Sequence, residues 1–456
     1  MENPKNWSFK TKWAATAVVS AFALISPAVS SMIAPALGKM SEEFGITEGI
    51  ETYMMLSIFV LGYAFGPLVL GPLSEVYGRA PVLQLANLFY VVWNTACGFS
   101  QTKTQMVAFR FLSGLGGSAP LPVGGAVLSD LWNAEQRGRA MALYSLAPLL
   151  GPTIVGPIAG GFIVEKTTWR WIFHATSILS FLLLFVGLFL LRETYTPKIL
   201  ASKTARLIRE TGNQNLRSEY DDSDKTTGKI LRISLVRPFR LLGTQIIVQV
   251  LSMYMAYLIG LMYLVLSTFP ILWEKKYNMS VGIGGLNYLS MGFGYFLGSQ
   301  ICAPLSDRIY VHLKTRNNGK GIPEFRVPLM FVGAMFVPIG LFWYGWSAQH
   351  NLHWIMPNIG ACIFCLGSIL GYQCIHTYIV DTYTRYSASA LGASTTLRSM
   401  TGFGLPLCAP YIYQTLEYGW GNSVLGFLAL GLGVPAPFLL WWFGSRLRAR
   451  STFATG

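Results

Sequence analysis

The chain is 456 residues long, with 52% hydrophobic but only 12% charged residues. A soluble domain carries about 25% charged residues, so this composition excludes an ordinary water-soluble protein. The formal net charge is +14, but the lysines and arginines lie almost entirely between apolar runs, which argues against a basic surface for nucleic acid.

Twelve apolar runs are long enough to cross a bilayer as helices, since a helix spans the hydrocarbon core in about 20 residues. We number these runs spans 1 to 12. They are predicted near residues 13–36, 50–72, 81–100, 104–129, 138–163, 171–191, 241–270, 282–304, 327–347, 353–380, 388–415 and 421–443. The polar residues before span 1 lack a cleavable signal pattern, so span 1 is expected to remain as a signal anchor. The sequence therefore predicts an all-α membrane protein.

One long polar segment, residues 192–240, interrupts the series. It separates an N-terminal half, residues 1–191, from a C-terminal half, residues 241–456, which ends in a short polar tail. Short apolar patterns inside the segment, at 199–200 and 207–208, are compatible with helices on the inner membrane surface or with a flexible linker.

The two halves repeat each other. Residues 72–75 read Pro-Leu-Ser-Glu after span 2, and residues 304–307 read Pro-Leu-Ser-Asp at the end of span 8. Asp130 ends span 4 and Asp381 ends span 10. Two pseudo-symmetric six-helix bundles are a transporter architecture, in which the solute site lies between the halves near the membrane midplane.

The cations predict the orientation, because Lys and Arg near span ends resist translocation. With the N-terminus inside, the cytoplasmic segments hold 26 of the 34 Lys and Arg. Both termini and the central segment are therefore expected in the cytoplasm.

The segment after span 2 carries a family motif. Residues 71–79 read Gly-Pro-Leu-Ser-Glu-Val-Tyr-Gly-Arg and resemble the loop between spans 2 and 3 of the major facilitator superfamily. The resemblance implies that the acid lies near the start of span 11, and that the arginine pairs with the acid that ends span 4. It assigns a gating role to Gly71, Glu75, Gly78, Arg79 and Asp130, with Asp307 as the repeated acid of the second half. Ala80 departs from the pattern, because relatives usually carry a second cation there.

Span 5 carries a second motif. Residues 151–161 read Gly-Pro-Thr-Ile-Val-Gly-Pro-Ile-Ala-Gly-Gly and resemble the antiporter motif of proton-coupled exporters. Glycines let helices approach closely and prolines bend them, so the resemblance implies a thin, kinked seam against span 8 that limits proton leak. The seam residues are Gly151, Pro152, Gly156, Pro157, Gly160 and Gly161.

The resemblance covers the whole chain, with further matches at residues 3–7, 110–117 and 398–399. In detail the chain looks like the twelve-span drug:proton antiporters of fungi. The resemblance implies a monomeric exporter of the plasma membrane, or of the vacuolar membrane, that uses the proton gradient and no bound cofactor or metal.

Three ionisable residues lie well inside the spans: Arg110, Arg398 and His376. Such a group costs several kcal/mol unless it is paired or hydrated, so each is a candidate for substrate binding or proton coupling. The alternatives are a structural bond from Arg110 to backbone carbonyls and a packing role for His376.

Span 7 contributes polar and aromatic residues suited to a pocket. Gln245 and Gln249 share one helix face, as do Tyr254 and Tyr257, with Tyr263 further along. The alternative is a contact between helices. Asn278 begins a glycosylation sequon in a predicted outer loop.

No span carries Asp or Glu in its middle. A cavity with two guanidinium groups and no fixed anion favours neutral or anionic solutes. The predicted function is export of a small organic molecule driven by inward proton flow, with a solute importer or facilitator as the first alternative and a non-transporting sensor as the second. The sequence contains no H-E-x-x-H, G-x-S-x-G or Walker motif that would indicate an enzyme.

Overall fold

A computed structural model describes residues 3–46, 49–213, 215–218, 227–383 and 387–451, without the side chains of 134–139, 142, 227–234 and 387–388. Within these ranges the regular structure is helical throughout. By length and hydropathy, nine helical stretches of the described residues are apolar enough to cross a membrane, and one of them, Ser389–Ala449, contains two spans. Spans 3 and 8 are long enough but less apolar.

The first six spans are helices whose ends lie within several residues of the prediction. Their bounds are Phe9–Met32, Gly49–Tyr77, Arg79–Gly98, Lys103–Gly117 with Pro120–Leu131, Ala134–Leu150 with Gly156–Lys166, and Arg170–Leu190. Span 1 continues through a short helix, Leu37–Glu43.

The last six spans follow the same plan. Their bounds are Ile246–Ile271, Val281–Leu286 with Tyr288–Arg316, Pro328–Gln349, Ile355–Thr382, and the last two within Ser387–Leu428 and Pro435–Ala449. The backbone of Glu417 is non-helical, with φ of 54°, and it separates span 11 from span 12. Each of the twelve predicted spans thus corresponds to a helix.

An even number of spans places both chain ends on one side of the bundle. We call this side, where span 1 begins and span 12 ends, the terminal face, and the other side the far face. The central segment forms two helices between spans 6 and 7, Thr196–Thr211 and Thr227–Thr244. The apolar patterns at 199–200 and 207–208 lie in the first of these helices, so a flexible linker is wrong there.

Among the described residues, the two halves meet mainly where span 2 packs against span 11 and span 5 packs against span 8, with smaller contacts of span 7 against spans 1 and 2. Thr396 of span 11 donates a hydrogen bond of 3.2 Å to the carbonyl oxygen of Ala64 in span 2. The hydroxyls of Ser30 in span 1 and Tyr263 in span 7 lie 3.4 Å apart. These contacts define the interface in which a site between the halves must lie.

Candidate functional site

Arg110 is completely buried in span 4 and contacts two neighbouring spans. Its guanidinium group donates to four backbone carbonyl oxygens, those of Val29 and Ser30 in span 1 and of Met55 and Leu56 in span 2, at 3.2 to 3.3 Å. The structure thus shows the backbone bonds that were the structural alternative for this residue.

The end of the first helix explains why its carbonyls accept these bonds. The helix Phe9–Met32 ends just after Val29 and Ser30, and the last four carbonyls of a helix lack intrahelical partners. A cation at this end also interacts favourably with the helix dipole. The guanidinium carbon lies 4.7 Å from the centre of the Phe59 ring, which adds a cation–π contact.

Arg398 has a different environment in span 11. It is half-buried, and it donates a hydrogen bond to the hydroxyl of Tyr372 in span 10. The ring of His376 lies one turn further along span 10, with its centre 6.2 Å from that of Tyr372. Arg398, Tyr372 and His376 therefore form one cluster, which we call the span 10–11 cluster.

Two tyrosine hydroxyls, from spans 2 and 7, contact serines of span 1. The Tyr63 hydroxyl of span 2 lies 2.6 Å from Ser26 Oγ of span 1. The Tyr263 hydroxyl approaches Ser30 one turn further along span 1. Tyr63 and Tyr372 were missed by the sequence analysis, and their only signal was a tyrosine within an apolar span.

The pocket-lining candidates of span 7 do not all face the interface. The rings of Tyr254 and Tyr257 pack edge to face with centres 5.0 Å apart. Their hydroxyls point at Gly371 in span 10 and Gly433 in span 12, respectively. Both tyrosines therefore lie inside the second bundle, where they match the alternative of a contact between helices.

The two glutamines lie at the terminal-face end of span 7 and contact their own segment. Gln245 is buried and donates to Thr244 Oγ1 at 2.9 Å. Gln249 is exposed and donates to the carbonyl of Leu242 at 2.8 Å. Neither of these hydrogen bonds reaches the middle of the membrane.

The glycines of span 5 separate into two sets. A Cβ on Gly151, Gly156 or Gly160 would lie 2.0 to 2.7 Å from a backbone oxygen of span 1, so these three glycines allow close packing against span 1. The expectation that they face span 8 is wrong, because the helix turns them toward their own bundle.

Span 8 meets the other face of span 5. A Cβ on Gly161 would lie 2.9 Å from the carbonyl oxygen of Val281, and one on Gly285 would lie 3.1 Å from the carbonyl oxygen of Pro157. A single π-helical turn, Gly151–Val155, begins with the Gly151–Pro152 pair and lies where the kink is predicted. The seam thus joins spans 1, 5 and 8.

At the terminal face, Arg79 Nε lies 3.8 Å from Asp130 Oδ2, as the motif implies. The Arg79 side chain also donates to Ser74 Oγ. Glu75 is exposed and forms no ion pair with any residue that the structure describes. A second acid contacts the motif instead: Glu193 accepts the backbone N–H of Arg79 at 2.9 Å.

Two glycines of this motif have different surroundings. Gly78 has φ of 102°, a conformation that favours glycine, and a Cβ there would lie 2.2 Å from Glu193 Oε2 and would displace that carboxylate. Gly71 is less constrained, because a Cβ there would make an ordinary contact of 3.7 Å with Pro122.

The second half has a similar network, in which one arginine contacts two aspartates. Arg326 contacts Asp307 at 2.6 Å and Asp381 at 3.1 Å, and so joins the ends of spans 8 and 10. Burial lowers the pKa of Arg326, but the hydrogen bonds and charges of the two aspartates outweigh burial and raise it. Arg326 therefore stays charged and holds both carboxylates.

The far face carries a polar contact between the halves. Glu165 at the end of span 5 accepts the backbone N–H of Gly282 at 2.7 Å and the hydroxyl of Ser280 at 3.2 Å. We call this the Glu165 contact. Asn278 of the sequon lies close by and is exposed.

The comparisons with known proteins cover nearly the whole chain. A family model described as Major Facilitator Superfamily matches residues 19–406. The chain is 52% identical over 455 residues to efflux pump vrtL of Penicillium aethiopicum, covering 100% of this chain and 90% of that protein. It is 45% identical over 450 residues to MFS-type transporter oryF of Aspergillus oryzae, covering 99% and 93%.

Solved structures share the architecture. The xylose transporter XylE from E. coli, in a partially occluded inward open conformation, has a TM-score of 0.71 at 15% identity, covering 95% of this chain and 98% of that one. A bacterial homologue of the human lysosomal transporter Spinster has a TM-score of 0.65 at 15% identity, covering 97% and 99%. At this identity the likeness shows the fold alone.

Proposed function

This chain belongs to the major facilitator superfamily and is a membrane transporter, and from that premise we propose that it exports small organic molecules in exchange for protons by alternating access. Export is supported by the similarity, over the whole of this chain, to a relative named an efflux pump. The antiporter-like motif in span 5 agrees with it. As members of this family are transporters, the chain is not an enzyme.

The span 10–11 cluster supports a neutral or anionic cargo. Arg398 is half-buried in span 11, the span that packs against span 2 of the first half, and its guanidinium bonds to a neutral tyrosine hydroxyl. No acidic side chain lies in the middle of a described span to hold a cationic solute. A cation in a poorly hydrated cavity attracts anions and repels cations. Lipophilic neutral molecules and organic acids, including secreted metabolites, are therefore the proposed cargo.

His376 is the proposed proton carrier of the same cluster. An imidazole can bind and release a proton, and its position one turn from Tyr372 links it to Arg398. A proton on His376 and an anion at Arg398 would therefore influence each other electrostatically.

The direction of transport is tested in membrane vesicles with the terminal face outward, selected by access of protease to a C-terminal tag. An exporter that exchanges solute for protons accumulates a radiolabelled organic acid when the lumen is acidic. An importer coupled to proton entry accumulates it only when the outside is acidic. A facilitator equilibrates it under either gradient, and absence of transport of every solute would favour a sensor.

The cargo class is tested in the same vesicles by competition. Organic acids and lipophilic neutral molecules are expected to compete for transport, while polyamines and quaternary ammonium ions do not. Arg398→Gln should weaken competition by the acids more than competition by neutral molecules. Cations as the best competitors would contradict the proposed cargo.

We place the transporter in the plasma membrane as a monomer, with both termini and the central segment cytoplasmic. The vacuolar membrane is the alternative. The bias of Lys and Arg toward the terminal face supports this orientation, which would place Asn278 outside the cell.

A further inference from the structure

A groove lies on the outer wall of the second bundle, near the terminal face. It is open to the surroundings, runs between the ends of spans 8, 9 and 12, and has a volume of about 460 Å³. The residues that line it are Arg308, Ile309, His312, Leu313, Pro328 and Trp441. It belongs neither to the interface of the halves nor to the span 10–11 cluster.

The lining combines an apolar wall with two basic groups. Arg308 and His312 lie four residues apart on span 8, so their side chains project from the same helix face. Both are exposed, and neither side chain has a hydrogen bond or an ion pair within the part of the chain that the structure describes. In contrast, the nearby Arg326 is held by two aspartates.

The tryptophans at the groove are typical of the level at which lipid headgroups meet the hydrocarbon core. Trp441 lines the groove, and the neighbouring Trp442 is 72% exposed on the outer surface of span 12. Exposed tryptophans concentrate at this level of a membrane protein. Further cations, Lys314 and Arg316, follow on span 8 beyond the groove.

We propose that this groove binds one anionic phospholipid from the leaflet at the terminal face. The headgroup phosphate contacts Arg308 and His312, and an acyl chain lies along the wall formed by Ile309, Leu313 and Trp441. The charge of the site and its apolar wall both match such a lipid, whereas a soluble phosphate would leave the wall without a partner. Basic pockets between helices at a membrane surface have this specificity.

The experiment is native mass spectrometry of the full-length protein in detergent, titrated with phosphatidylserine, phosphatidylcholine or inorganic phosphate. We expect one phosphatidylserine to bind with preference over phosphatidylcholine, and inorganic phosphate to give no comparable adduct. Arg308→Gln should weaken that binding about fivefold, the effect of one cation near an anionic lipid. The matched control is Arg316→Gln, which removes the same charge two turns further along the helix and should change binding less than twofold.

Four outcomes would overturn the proposal. Equal weakening by both variants would mean general attraction to a basic surface. Equal binding of both lipids would show that the site does not recognise the anionic headgroup. Full binding of inorganic phosphate alone would show that the acyl chain does not contribute. A dimer mass that disappears in Arg308→Gln would show that a second copy of the chain occupies the groove.

Discussion

Two arginines lie in the middle of the bundle, and their surroundings give them different roles. Arg110 is fully buried and bonded to four carbonyl oxygens, so it holds spans 1, 2 and 4 together. Arg398 is half-buried and bonded to one tyrosine hydroxyl, so its remaining donors are the better candidates for binding a solute.

Conservative substitutions should separate these roles. A lysine at position 110 keeps the charge but cannot reach carbonyls on two helices at once, so Arg110→Lys should lower the stability by about 2–4 kcal/mol. Arg398→Lys should lower it by less than about 1 kcal/mol and raise the KM for an anionic cargo. Thermal unfolding in detergent and vesicle transport measure the two effects. Equal loss of stability in both variants would contradict this division.

Gly160 provides a second test at the residue scale. A Cβ there would lie 2.0 Å from the carbonyl oxygen of Met32, so Gly160→Ala must push span 5 away from span 1. We expect a loss of about 1–3 kcal/mol in thermal unfolding. The matched control is Gly125→Ala, where nothing lies within 4 Å of the new Cβ and helix propensity predicts a gain of up to about 1 kcal/mol. An unchanged stability of Gly160→Ala would refute this packing.

At the scale of elements, span 5 connects the interior of the first bundle to the second bundle. Three of its glycines pack against span 1, while Gly161 and Pro157 meet span 8. Its last turn supplies the Glu165 contact. Movement of span 8 away from span 5 at the far face must therefore break that contact.

The Glu165 contact should stabilise the conformation in which spans 5 and 8 are packed together at the far face. Because Glu165 is exposed, its two hydrogen bonds contribute at most about 1 kcal/mol, and Glu165→Ala should open the seam about two- to fivefold more often. A cysteine at Ile158, which lies beside Gly285 of span 8, reports opening through its alkylation rate in a cysteine-free background. The control is Glu51→Ala, because Glu51 pairs with Lys103 within the same half. Equal rates in the two variants would argue against a role for the contact.

At the scale of the whole molecule, the halves are joined by one polar segment and by packing of spans 2, 5 and 1 against spans 11, 8 and 7. The polar networks at the terminal face lie at equivalent places in the two halves. They differ in the charge of the residue that each half adds to its network. In the first half the acid Glu193, after span 6, contacts the start of span 3. In the second half the base Arg448, in span 12, contacts the acid Glu324 before span 9 at 3.4 Å.

The proposed division into halves predicts that the central segment is dispensable as a covalent link. Cleavage at a protease site introduced between residues 218 and 227 should leave the halves associated, because spans 2, 5 and 1 still pack against spans 11, 8 and 7. Gel filtration in mild detergent after cleavage is expected to give one peak that contains both fragments. Separation of the fragments would show that the interface is too weak to hold them.

The sequence by itself determined the twelve spans, the repeat of the halves and the terminal-face acids. A helix that crosses a bilayer needs a continuous run of mostly apolar residues, and such a run can be recognised in the local sequence. The central helix Thr196–Thr211 was compatible with two interpretations, since its short apolar patterns are weak.

Only the tertiary structure decided which partners these residues meet. It placed Tyr254 and Tyr257 inside one bundle, put Glu193 rather than Glu75 beside Arg79, and turned Gly156 toward span 1. The physical reason is that hydropathy fixes where a helix runs but not its rotation about its axis. That rotation follows from the packing of all neighbouring helices together.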